Sequence, residues 1–213
     1  MPPPAPRRSR QDMIAATTAK LLAAARRSFA ERGYAATSMD DLCAEAGLTR
    51  GALYHHFGGK EGLLEAVVEQ IDTEIEQRLD AEFAAIPDPW LAFRTCCMIY
   101  LDLALEPEIQ RIVLKDAPAV LGQRFREVDA HSSLAPMIDG LKDLMASGQI
   151  RQADPEALAR VLNGAMMDAA LWVAASSAPR ETLARAKHSL SLILDGLRAP
   201  NPRPDAAPSD VKR

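Results

Sequence analysis

Between Ser38 and Lys60 runs SMDDLCAEAGLTRGALYHHFGGK, where a guanidinium (Arg50), hydroxyls (Ser38, Thr49), a phenol (Tyr54), imidazoles (His55, His56) and an ammonium (Lys60) sit among small residues. Donors of this kind, without a paired nucleophile and base, suit a polyanion better than a bond-breaking reaction. Arg50 is the candidate base reader: its guanidinium can bond guanine O6 and N7 together, worth about 1–3 kcal/mol of discrimination. Thr49 and Ala52 can meet base edges or thymine methyls, and Gly51 lets the backbone come close.

These side chains need short helices to hold them. Ser38 followed three residues later by Asp41 offers a capping box, so a helix is expected to start at Ser38. Leu42 and Ala46 share a face, and Gly47 supplies the left-handed turn that ends it. Thr49 can cap the next helix, with Arg50, Gly51 and Ala52 in its first turn and Leu53 and Phe57 facing inward; His56 is expected to pack inward beside Phe57. Two short helices cannot bury a core alone. The stripe Ile14, Leu21, Leu22, Ala25 and Phe29, ended by Gly33, provides the third. The outline is a helix-turn-helix. Residues 1–60 hold nine Lys or Arg against five Asp or Glu, a net of +4; the whole chain carries −4, so the remainder carries −8. That asymmetry is expected when one end meets a polyanion.

From Thr17 to Glu69 the chain resembles the DNA-binding domain of the tetracycline-repressor (TetR) family, through Phe29, Gly33-Tyr34, Thr37, Ala46-Gly47, Leu53-Tyr54-His55-His56-Phe57 and Lys60-Glu61. One position departs: Gly59 stands where a Ser, Asn or Asp often caps the fourth helix. The resemblance implies phosphate contacts from Thr37, Ser38, Tyr54, His55 and Lys60. It also implies an all-α fold: a helix-turn-helix domain over 10–58 and a larger helical ligand-binding and dimerisation domain over 59–198. The ends, a basic arm at 1–9 and a tail at 199–213, are too rich in Pro and polar residues to pack and are expected to be disordered. A weaker resemblance, Glu108 to Asp129, is to the effector region of a subset of such regulators and names no ligand.

The 213 residues are 48% hydrophobic, enough for a sizeable core, and no uncharged apolar run approaches the roughly 18 residues that span a bilayer. The Pro/Arg-rich N-terminus lacks a secretory apolar core, and Cys43, Cys96 and Cys97 suit a reducing compartment, so a cytoplasmic protein without membrane contact is expected. Arg7 and Arg8 leave two readings open, an arginine arm along DNA or a solvated tail.

Beyond residue 59 only helices are expected. A fourth runs from near Gly59 and ends before Pro87; Asp88-Pro89 opens a fifth; Pro107 and Pro118 bracket a shorter element; and the region from Gly122 to Ala146 should break near His131. Asp154-Pro155 opens one long helix, and a last one follows. The family resemblance makes these two the dimer interface, with Leu158, Leu162, Ala165, Ala169, Leu183, Leu190, Ile193, Leu194 and Leu197 as its candidates. An ordinary intrachain core would produce the same stripes. A two-fold dimer is favoured because one short reading helix covers few base pairs.

The second half is expected to enclose an apolar pocket for an unknown apolar or amphipathic effector. Its candidate lining is Phe93, Cys97, Tyr100, Ile112, Val113, Phe125, Met137, Met166, Asp168 and Trp172. Asp168, an acid in an apolar helix, either orients a ligand or bonds across a helix interface. Catalysis is disfavoured: the histidines and cysteines lack a metal-ligand spacing, and no phosphate-binding glycine loop or nucleophile motif appears, so neither metal nor cofactor is expected. The remaining alternatives are a helical adaptor, or a redox sensor built on Cys96 and Cys97.

Overall fold

The computed structural model describes residues 10–129 and 133–199; the side chains of 10–15, 126, 128 and 129 are outside the described set. The expected arm at 1–9, the inward position of Ile14, the break at His131 and the tail beyond Ala199 therefore lie outside the described residues.

Three helices make the N-terminal unit: α1 (Arg10–Arg32), α2 (Met39–Ala46) and α3 (Arg50–Phe57). The local rules act as the residues dictate. Ser38 Oγ accepts from Asp41 N at 3.3 Å, and Thr49 Oγ1 accepts from Ala52 N at 3.2 Å, so each hydroxyl satisfies an otherwise orphaned amide. Gly47 ends α2 at φ 67°, a left-handed conformation that favours glycine. Leu21, Ala25 and Phe29 of α1 meet Leu42 of α2 and Leu53 of α3 in a core from which water is excluded. Each fully buried leucine there contributes about 1.5–3 kcal/mol.

The unit is completed from outside itself. Helix α4 (Lys60–Ala85) buries Leu63, Leu64, Val67, Val68 and Ile71, and packs on α1, α3 and the next helix, α5 (Pro89–Asp102). A turn of 3₁₀ helix (Leu103–Leu105) leads into a segment that differs from expectation. Pro107 and Pro118 do not bracket one element. Helix α6 (Pro107–Arg111), a π-helical turn (Ile112–Asp116) and α7 (Ala117–Leu121) run on without interruption. The π turn explains how Pro118 fits: Ala117 N–H reaches back five residues to Ile112 O, and Pro118 then occupies an opening position of α7, where its missing N–H matters least.

Helices α8 (Gln123–Asp129) and α9 (Ala135–Ala146) follow, then α10 (Pro155–Ala175) and α11 (Pro179–Leu197), which pack together. The connection of α10 to α11 is short, as for antiparallel neighbours. Arg151 N donates to Leu197 O at 2.9 Å and Ala199 N to Gln149 O at 3.1 Å, tying the end of α11 to the loop before α10. Among the described residues, α10 alone is long and apolar enough to cross a membrane by length and composition, and 28% of its most apolar stretch is buried. It carries Arg160 and Asp168, and its inward side packs on α5, α9 and α11.

Candidate DNA-reading surface and effector cavity

The reading surface is built at the start of α3. Arg50 is exposed and meets Asp40 of α2 twice, Nε to Oδ1 at 2.5 Å and Nη2 to Oδ2 at 3.0 Å. A pair this open to solvent is worth at most about 1 kcal/mol, so it orients the guanidinium without locking it. Tyr54 is 56% exposed, one turn further along. Its ring sits against the entrance to α4, where a Cβ on Gly59 would approach Tyr54 Cε1 to 3.3 Å. Gly59 has φ 132°, so the departure from the family pattern is a backbone requirement and not merely a weaker cap.

His55 is exposed as expected, and so is His56, whose ring stands edge-on to it at 5.5 Å; the expectation that His56 packs inward is corrected. Near the end of α3 an imidazole gains from facing water and the negative end of the helix dipole, while Phe57 fills the half-buried inner position. Lys60 lies with Nζ 4.5 Å from the centre of the Tyr34 ring and 3.4 Å from Ala35 O; burial lowers its pKa from the ordinary lysine value.

Thr37 is a second correction. It is only 4% exposed, and its hydroxyl donates to Gly33 O at 2.9 Å while standing 2.8 Å from Ser28 Oγ. With that proton committed, Ser28 must donate to Thr37, and Ser28 Oγ accepts from Arg32 Nη2 at 2.8 Å. The chain of donors fixes the loop between α1 and α2. Thr37 shapes the surface from within; Ser38, one residue on, is the cap.

Several of the basic residues behind the charge asymmetry are engaged internally. Arg27 pairs with Glu45, and Arg26 forms a bidentate pair with Glu74 of α4 while also meeting Glu108 of α6, at 2.6–2.8 Å. Those two carboxylates hold the Arg26 guanidinium firmly protonated. A second joint lies beside it. Asp116 Oδ2 accepts from Tyr34 N at 2.7 Å, and Arg111 Nη2 donates to Arg32 O at 3.0 Å. Sequence reading did not find these joints, since partners 48 to 82 residues apart leave no local signal.

The other side of the same segment, Ile109, Val113 and Leu114, lines a cavity of about 700 Å³. Of the expected lining residues, Phe93, Cys97, Tyr100, Val113, Phe125, Met137 and Met166 are there. Ile112 is buried but outside the lining. Asp168 and Trp172 are corrected: both are exposed on the outer side of α10, and Trp172 stacks under the Arg185 guanidinium at 5.0 Å. The reason is phase. Asp168 lies about 200° round the helix from Met166, which faces the cavity. Missed altogether were Ile75, Leu79 and Phe83 of α4 and Gly140 of α9, which also line it. The α4 stripe continues two turns beyond what three short helices could cover, and that was the available signal. Burial pushes the Cys97 thiol up to about 12 and raises that of Cys96, so both favour the neutral thiol.

The candidate interface residues divide as well. Leu162, Leu183, Leu190 and Leu194 are buried within this chain and belong to its own core. Leu158, Ala169 and Leu197 are half-buried against it. Only Ala165 and Ile193 of the expected set are exposed; with them Val161 (68% exposed), Leu171, Trp172 and Leu192 complete an apolar outer face. A helix with apolar residues on both sides repeats every three or four positions on each, so spacing did not separate them.

A helix-turn-helix with an exposed arginine at its reading helix, carried on a helical body with an apolar cavity, defines a DNA-binding regulator. Residues 21–67 match the model of the bacterial regulatory proteins of the tetR family, and residues 90–197 that of the tetracyclin repressor-like C-terminal domain. The chain belongs to the tetracycline-repressor family of transcriptional regulators. A solved TetR-family regulator from Pectobacterium atrosepticum is 49% identical, with TM-score 0.81, covering 91% of this chain and 99% of that one. The transposon Tn10 TetC protein of Escherichia coli is 28% identical over 166 residues, 76% of this chain and 82% of its own length. The transcriptional repressor BepR of Brucella suis is 29% identical over 131 residues, 61% of this chain and 59% of its length.

Proposed function

We propose that this chain is a cytoplasmic, homodimeric repressor that binds a near-palindromic operator and is released by a small molecule in its cavity. The division of labour is the one read from sequence, with residues 10–58 holding DNA and 59–198 sensing and dimerising. One observation carries the reading: the segment from Pro107 to Asp116 lines the cavity on one side and holds the reading unit on the other, through Glu108, Arg111 and Asp116. An occupant that displaces Val113 or Leu114 strains those joints. The effect is a population shift: the effector releases DNA only if it binds the DNA-incompetent arrangement more tightly. Helix α4, bonded to Arg26 by Glu74 and lining the cavity beyond Asp72, supplies a second lever in the same direction. The high thiol pKa of Cys97 argues against redox sensing as the primary signal.

At the DNA, Arg50 reads guanine, Thr49 and Ala52 touch base edges or thymine methyls, Gly51 allows close backbone approach, and Ser38, Tyr54, His55 and Lys60 meet phosphates. Selection of bound duplexes from a random pool at near-physiological salt tests the reading. A two-fold symmetric consensus is expected. Recovery of only salt-sensitive, sequence-independent binding would overturn it in favour of an adaptor.

A further inference from the structure

The cavity has a charge sign as well as a shape. Five carboxylates line it: Asp72, Glu76 and Asp80 recur every fourth residue along α4, and Asp139 and Asp143 do the same on α9. Among the described residues of the lining none is basic. Asp80, Asp139 and Asp143 are exposed and Glu76 half-buried, whereas Phe93, Cys97, Val113 and Met166 are buried, so the acids stand at the solvent end of an apolar interior. Asp139 is paired with Lys142 at 2.8 Å, which leaves Glu76, Asp80 and Asp143 without a basic partner among the described residues. Four aromatic rings, Phe83, Phe93, Tyr100 and Phe125, line the same space. Ring faces attract a cation that has shed its water, and carboxylates favour its entry.

We propose that the cavity takes an apolar organic cation, a bulky amine or quaternary onium ion, and excludes apolar anions of the same size. This rests on reading the cavity as the effector site and adds the chemical class of the occupant. A volume of about 700 Å³ lies within the range of drug-sized sites. An apolar carboxylate would fill the same interior but pass three like charges on entry, with no base among the described lining residues to receive it. A neutral occupant would gain nothing from them.

The test uses two ions alike in shape and apolar surface and opposite in charge, tetraphenylphosphonium and tetraphenylborate, titrated calorimetrically into the full-length protein without DNA. The cation is expected to bind at least about tenfold more tightly. The triple change Glu76→Gln, Asp80→Asn, Asp143→Asn, which removes the charges at nearly unchanged side-chain volume, should bring the two within about twofold. Gly140→Leu should remove cation binding, because a Cβ there meets only Phe93 Cδ2, at an ordinary 3.8 Å, and the longer side chain then fills the cavity. Equal affinities, preference for the borate, no binding of either ion, or cation binding retained by Gly140→Leu would each overturn the proposal. The effector reading is judged separately, by whether cavity occupancy changes operator affinity. Release of DNA by a neutral or anionic compound, with no preference for the phosphonium, would keep that reading and discard the cation.

Discussion

Arg50 and Lys60 carry the same charge in different settings, and the settings predict different losses. Arg50 projects from the first turn of α3, restrained among the described residues by the exposed Asp40. Arg50→Ala should therefore cost about 1–3 kcal/mol of discrimination at one base pair and relax the consensus there. Lys60 lies over Tyr34 at the foot of α4, outside the reading helix. Lys60→Ala should weaken all duplexes alike and reduce the salt slope by about one. Binding titrations on the consensus and on scrambled DNA, each at several salt concentrations, separate the two; identical effects on specificity would refute the assignment. Much of this was legible at the residue scale, because caps and turns depend on neighbours in sequence: Ser38, Thr49 and Gly47 do what their types dictate. Thr37 and His56 were not. Whether a side chain beside a turn faces inward depends on which donors the rest of the fold offers, and Thr37 found Ser28 and Gly33.

The junction of α3 with α4 tolerates little at the element scale. A Cβ on Gly62 would lie 1.9 Å from Phe57 O, a backbone atom that cannot swing away. Gly62→Ala should open this elbow, lower stability by about 1–3 kcal/mol and weaken operator binding, read by calorimetric melting and DNA titration. Unchanged melting with unchanged affinity would contradict the packing. A second joint predicts a pH dependence. Hydrogen bonding to Arg26 lowers the pKa of Glu74 below its ordinary value. The folded state thus binds that proton less readily than the unfolded chain, so the contribution is complete above the ordinary glutamate range and disappears as pH falls through the lowered value. Glu74 is about half exposed, which limits the effect to about 1 kcal/mol. Arg26→Met should flatten this acid limb in melts between pH 6 and about pH 3; an unaltered pH profile would remove Glu74 from the account. Helix boundaries set by proline and glycine were readable because they are local. The π turn before Pro118 was not, since a proline in sequence marks a missing donor without saying whether the chain stops or re-registers.

Seen as a whole molecule, α10 and α11 turn one apolar face into their own core and another into water. The outer face, with Val161, Ala165, Leu171 and Trp172 on α10 and Leu192 and Ile193 on α11, is of the kind that marks an association surface. Composition and charge had pointed to a two-part molecule, but the stripes alone could not say which leucines face inward; only packing against α5 and α9 settles that Leu162 and Leu194 do. The exposed set makes the dimer testable without harming the fold. Val161→Glu with Ile193→Glu adds like charges at positions that already meet water, so melting and circular dichroism should change little. Across a two-fold axis each charge confronts its copy or the other new carboxylate in an apolar interface, and both arrangements are repulsive. The mass by light scattering should fall from two chains to one. Affinity for a full palindrome should then fall to that of an isolated half-site, because the second reading helix is no longer delivered at high effective concentration. A variant that remains dimeric would move the interface elsewhere on the body. A monomer with undiminished palindrome affinity would mean that one chain reads DNA alone, and that the cavity must act through Arg111, Asp116 and Arg26 within that chain and not through the spacing of two.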